Sequence, residues 1–102
     1  MAISWDDVAD LLTGLDGVRR KGRLWTYEGR LVAREYDETT LLIRADFDAR
    51  ERLVDQHPET FSITPDLEAH MKVLADLERG DADALRSALA DAVSLQRRAS
   101  RA

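Results

Sequence analysis

Leu24-Trp25-Thr26-Tyr27-Glu28-Gly29-Arg30-Leu31-Val32-Ala33-Arg34 reads as a β-hairpin. Two segments rich in aromatic and branched side chains flank Glu28-Gly29, a two-residue turn in which glycine can take the positive φ that tight hairpins demand. The predicted strands are 23–27 and 30–36, and Asp37-Glu38-Thr39 turns the chain into a third, 40–45. Side chains alternate between sheet faces with period two. Counting across the turns puts Trp25, Val32, Leu41 and Ile43 on one face. Leu24, Thr26, Leu31, Ala33 and Leu42 fall on the other.

Helical signals bracket these strands. Ser4 with Asp7 three residues on forms a capping-box pattern, and Val8, Leu11, Leu12 and Leu15 recur at helical spacing until Gly14 and Gly17 end the run. The first helix is therefore expected over 5–13, and the basic run Arg19-Arg20-Lys21-Gly22-Arg23 is expected to be a loop. Asp46 or Asp48 caps a second helix, which turns Leu53 and Val54 inward and stops near Gln56 because the residue before Pro58 avoids helical geometry. Phe61-Ser62-Ile63 is the fourth expected strand, broken by Thr64-Pro65-Asp66. The polar stretch to Ala69 is expected to be loop, and the alternation from Met71 to Leu77 gives the fifth strand. Asp81 caps the last helix, with Leu85, Leu89, Ala92 and Val93 as its apolar stripe and Arg97 and Arg98 in its last turn. Fraying is expected from about Ala99.

Composition narrows the function classes. The 102 residues form one expected domain with 44% hydrophobic and 34% charged residues, a globular balance. There is no cysteine, which removes disulfides, thiolate nucleophiles and cysteine-ligated metals. No signal-like or membrane-spanning run is present, so the expected location is the cytoplasm. Of 15 Lys and Arg only Lys21 and Lys72 are lysine; with abundant Ala and Asp, this suggests a high-GC bacterial genome. Net charge of −5 and a pI near 4.9 oppose nonspecific attraction to phosphate backbones.

The order and local signatures resemble the MmcQ/YjbR family of small bacterial proteins. The resemblance rests on Leu15-Asp16-Gly17-Val18, where members usually have Leu-Pro-Gly-Val, and on Trp25-Thr26-Tyr27-Glu28-Gly29-Arg30-Leu31. It rests also on the Asp46-to-Pro58 helix running into Glu59-Thr60-Phe61, on Thr64-Pro65, and on Asp81-Ala82-Asp83-Ala84-Leu85. It covers nearly the whole chain, with motifs that are individually weak and collectively moderately specific. It implies a two-layer α+β fold of order α-β-β-β-α-β-β-α, with helices on one face of a five-stranded antiparallel sheet. Members are often labelled DNA-binding, and the family supplies no catalytic residues. The chain departs from the pattern at Asp66-Leu67-Glu68-Ala69-His70-Met71-Lys72, where members carry aromatic residues.

Candidate chemistry is sparse. His57 suits a helix C-terminus, and His70 beside Glu68 has no serine or threonine fixed near it by spacing to activate. The histidines lack metal-ligand spacing, and the aspartate clusters at 6, 7 and 10 and at 81 and 83 have capping or solvation explanations. No cofactor or metal is expected, and the reading is of a non-enzymatic binding or interaction module. Two surfaces are candidates. Arg19, Arg20, Lys21 and Arg23, joined by Arg97 and Arg98, would hold DNA backbone, with Trp25 or Tyr27 stacking on a base. Alternatively Leu24, Leu31, Ala33, Leu42 and Leu74, on the face away from the helices, would form a protein-interaction or self-association surface.

Overall fold

The computed structural model describes residues 3–101, an α+β chain with three helices and a six-stranded antiparallel sheet. Helix α1 (Trp5–Thr13) starts on the full capping box: the Asp7 amide donates to Ser4 Oγ, and the Ser4 amide donates back to Asp7 Oδ2, both at 3.0 Å. Its entry is tied to the sheet where the Ile3 amide donates to the Leu77 carbonyl and Trp5 Nε1 to the Glu38 carbonyl.

The sheet holds β1 (Val18–Lys21), β2 (Leu24–Tyr27), β3 (Arg30–Asp37), β4 (Thr40–Arg44), β5 (Phe61–Ser62) and β6 (Lys72–Asp76). Across the sheet the order is β1-β2-β3-β4-β6-β5. The α+β class agrees with the sequence reading, but there are six strands rather than five, and four rather than three precede the second helix. The addition is β1. The basic run expected as a loop is an edge strand, paired Val18↔Tyr27, Arg19↔Thr26, Arg20↔Trp25 and Lys21↔Leu24. Gly22, at φ +60°, opens the two-residue turn Gly22-Arg23, and glycine in first place is the signature of a type II′ hairpin. Cationic side chains do not disqualify a strand at a sheet edge, where they discourage unwanted pairing. The Glu28-Gly29 turn, with φ of +48° and +78°, is the expected hairpin of type I′.

Helix α2 (Phe47–Gln56) is capped by Asp46, whose Oδ1 accepts from the Ala49 amide at 2.8 Å, and it ends before Pro58 as expected. Helix α3 (Ala82–Arg101) is capped by Asp81, which accepts from the Asp83 and Ala84 amides. It stays helical through Arg101, beyond the expected fraying point near Ala99. Val8 and Leu12 of α1, Leu85, Leu89 and Val93 of α3, and the inward residues of α2 join one core with Trp25, Val32, Leu41, Ile43 and Val73.

Ala33 belongs to this core rather than to the opposite face. The register jumps from Trp25↔Ala33 to Thr26↔Leu31, so Val32 is an extra residue in β3. A bulge of this kind lets two successive side chains face the same way, and Val32 and Ala33 are both buried against the helices. At the bulge, Gln96 of α3, itself buried, donates Nε2 to the Leu31 carbonyl at 2.6 Å.

The opposite face has a second, smaller core. The stretch expected to be plain loop contains a single 3-10 turn, Pro65–Leu67, and Leu67 packs on Leu42 and Leu74, with Leu31 and Ile63 alongside. Arg50 of α2 holds this turn in place. It is 6% exposed and donates NH1 to the Leu67 carbonyl at 3.0 Å and the His70 carbonyl at 2.6 Å. No helix among the described residues is long and apolar enough to cross a membrane.

Candidate binding surface

The ladder decides what each basic residue can reach. Arg20 shares its sheet face with its partner Trp25, and its guanidinium sits 5.7 Å from the Trp25 ring. Alternation then sends Arg19 and Lys21 to the face without helices. Arg23, in the turn, stacks 4.5 Å from the Trp5 ring and pairs with Glu35 at 2.5 Å. Arg97 lies 5.4 Å from the Tyr27 ring and donates to the Asp16 carbonyl. Arg98 lines a separate groove with Asp46, Arg52 and Asp91 between α2 and α3. The six residues read as one basic surface therefore do not converge: two face open sheet, three are engaged with rings, carbonyls or a carboxylate, and one lies between helices.

The leucines divide as well. Leu42 and Leu74 are buried beneath Leu67, so they cannot line a free surface; the turn at Pro65–Leu67, hidden in a polar stretch, covers them. Leu31 is half-buried and Leu24 is exposed.

What remains is a surface that neither sequence cluster described. One ladder row runs Lys21, Leu24, Arg34, Leu42, Leu74, Ser62 across the whole sheet, beside a row of Arg19, Thr26 and Leu31. Arg44 and Lys72 pair in the next row, half-buried. Neither of the first two rows contains a carboxylate. Asp37 and Asp76 stand in the row at the far end, pairing through Thr40. Both accept local turn bonds: Asp37 from the Thr39 amide, Asp76 from the Glu78 and Arg79 amides. The Asp37 carboxyl is held below its ordinary pKa mainly by the Thr39 amide. Asp66 and Glu68 ride on the covering turn. Among the described residues none of Arg19, Lys21, Arg34, Arg44 and Lys72 forms an ion pair. Strand-level register was the missing signal; the residues of these rows lie on all six strands and are scattered from 19 to 74.

Other features offer less. His57 Nδ1 lies 3.9 Å from Glu59 and its ring meets Phe61 edge-on, while His70 is exposed and contributes its carbonyl to Arg50. No three His, Asp or Glu side chains among the described residues converge as metal ligands. A groove of about 520 Å³ between α1 and α3 is lined by Ile3, Val8, Leu11, Leu85 and Leu89, with Asp7, Asp10 and Arg86 also lining it.

Searches of the chain against known protein families, curated proteins and solved structures give no match. The family resemblance thus stands on the sequence motifs alone.

Proposed function

We propose that the protein is a non-enzymatic binding module of the MmcQ/YjbR type, and that it meets its partner through the β1–β3 part of the helix-free sheet face. The observation that carries this reading is the pair of carboxylate-free ladder rows, in which exposed Arg19, Lys21 and Arg34 surround Leu24 and Leu31. These two rows carry Arg19, Lys21 and Arg34 and no carboxylate within β1–β3, on a chain with 15 Lys and Arg against 20 Asp and Glu, so this part of the face is a positive area on an acidic molecule. Such segregation of charge guides encounter and orients a partner.

A second reading, weak DNA binding, gains from Arg19 and Lys21 sharing that face with Arg34. It loses Arg20, Arg23 and Arg97 to the partners described above. Site-specific photo-crosslinking tests the module reading. A photoreactive residue in place of exposed Leu24 should trap a macromolecule in the source cell, and one in place of exposed Ala90 on α3 should not. Crosslinks from position 90 alone, or from neither, would overturn it.

A further inference from the structure

Resting on that reading, we propose that the partner is a protein segment carrying both acidic and aliphatic side chains, laid across Leu24 and Leu31 between Arg19, Lys21 and Arg34. Three observations select this chemistry. First, the cations are arranged around apolar ground: in the long row Leu24 lies between Lys21 and Arg34, and Leu31 shares its row with Arg19 through Thr26. A polyphosphate has no apolar side chain to place there, whereas an acidic segment with leucine-like residues matches both components.

Second, the two ladder rows contain no aromatic residue on which a base could stack. Trp25 is fully buried on the helix side, Tyr27 is occupied by Arg97, and Trp5 by Arg23. Tyr36, 39% exposed, stands at the second bulge of β3, outside both rows. Stacking supplies much of the affinity for single-stranded nucleic acid, so that ligand loses a principal source of binding here.

Third, β1 is a lateral edge: among the described residues its one strand partner is β2, at the end of the strand order. An extended segment approaching this edge meets Arg19 and Lys21 on one side and Arg20 on the other. Cationic edges reject another copy of themselves and accept an acidic strand.

The test uses the intact chain and three fluorescein-labelled probes in anisotropy titrations. They are a short peptide alternating glutamate and leucine in pairs (Glu-Glu-Leu-Leu), so that each face of the extended strand carries both, a glutamate-only peptide of the same length, and an oligothymidylate of the same length. The alternating peptide is expected to bind about tenfold more tightly than either other probe. Leu24→Ser should erase that preference while leaving the weak binding of the glutamate-only peptide in place. Lys21→Glu with Arg34→Glu should weaken both peptides by at least about tenfold, and Arg98→Glu, on the far side, should change neither. Tighter binding of the oligothymidylate, unaffected by Leu24→Ser, would overturn the proposal in favour of a polyphosphate. Concentration-dependent dimerisation that Leu24→Ser abolishes would overturn it in favour of a second copy of the chain. If crosslinks form at position 24 while no peptide binds, the partner class is wrong and the surface stands; if position 24 is silent, both fall.

Discussion

Replacing Leu42 by alanine tests the second core, because the sequence alone made this residue a surface candidate. Leu42 is fully buried, and Leu67, Leu74, Leu31 and Ile63 surround it. Truncating a buried leucine costs about 2–5 kcal/mol, more when the surroundings cannot collapse. Here one wall is a single short turn, which can settle into the space, so about 3 kcal/mol is expected. For a chain of this size each kcal/mol shifts the melting temperature by about 4–8 °C, so a fall of about 12–24 °C should follow. Urea unfolding followed by the fluorescence of Trp5 and Trp25 measures the loss directly. Leu24→Ala, at a site 36% exposed, should cost no more than about 0.5 kcal/mol. Leu42→Glu should cost at least as much as Leu42→Ala, because it buries a carboxyl group among leucines. The double mutant Leu42→Ala with Leu67→Ala should be less damaging than the sum of its parts by about 1 kcal/mol, since the two side chains share one cavity. A cost below about 1 kcal/mol for Leu42→Ala, or strict additivity with Leu67→Ala, would refute the claim that the turn seals this face.

Three further outcomes follow from named contacts. Arg50→Met removes the donor to the Leu67 and His70 carbonyls; it should cost about 3 kcal/mol and speed amide exchange in residues 67–70, as hydrogen-exchange mass spectrometry would show. Gln96→Leu leaves the Leu31 carbonyl at the bulge without its side-chain donor and should cost about 1–3 kcal/mol in the same urea assay. Asp7, Asp37 and Asp81 are each held below the ordinary value of 3.8, first by backbone amides of Ser4, Thr39 and Ala84 respectively. Their folded pKa values lie below the unfolded ones, so their stabilisation is complete above the unfolded value and is lost as pH falls through the folded one. Carboxyl NMR titration should place all three midpoints below 3.8, and Ser4→Ala should raise that of Asp7 alone.

Much of the fold was legible because its signals are local. Ser4 and Asp7, Asp81, Pro58 and Glu28-Gly29 each announce a boundary within four residues, and the structure places those boundaries as read; of the two candidates Asp46 and Asp48, Asp46 is the cap of α2. The misreadings came where local chemistry and tertiary role diverge. Arg19-Arg20-Lys21 looks like solvated loop, yet an edge strand needs only a partner on one side, and Gly22 supplies the turn. Ala33 changed faces because Val32 is an extra residue, and nothing in the alternation marks a bulge. Leu67, a single apolar residue in a polar stretch, gives no periodic signal, so the cover over Leu42 and Leu74 was not legible. The candidate surface was hidden for a related reason. Arg34 is remote in sequence from Arg19 and Lys21, and only the register β1-β2-β3 brings the three onto one face while turning Arg20 away.

The partner surface proposed above is the open sheet between β1 and β3. Backbone amide NMR during titration with the alternating glutamate–leucine peptide tests it residue by residue. The largest shifts are expected on Arg19, Lys21, Leu24, Thr26, Leu31 and Arg34, with α3 silent. Shifts concentrated instead on the Ile3–Leu11–Leu89 groove, or around Arg97 and Tyr27, would contradict it.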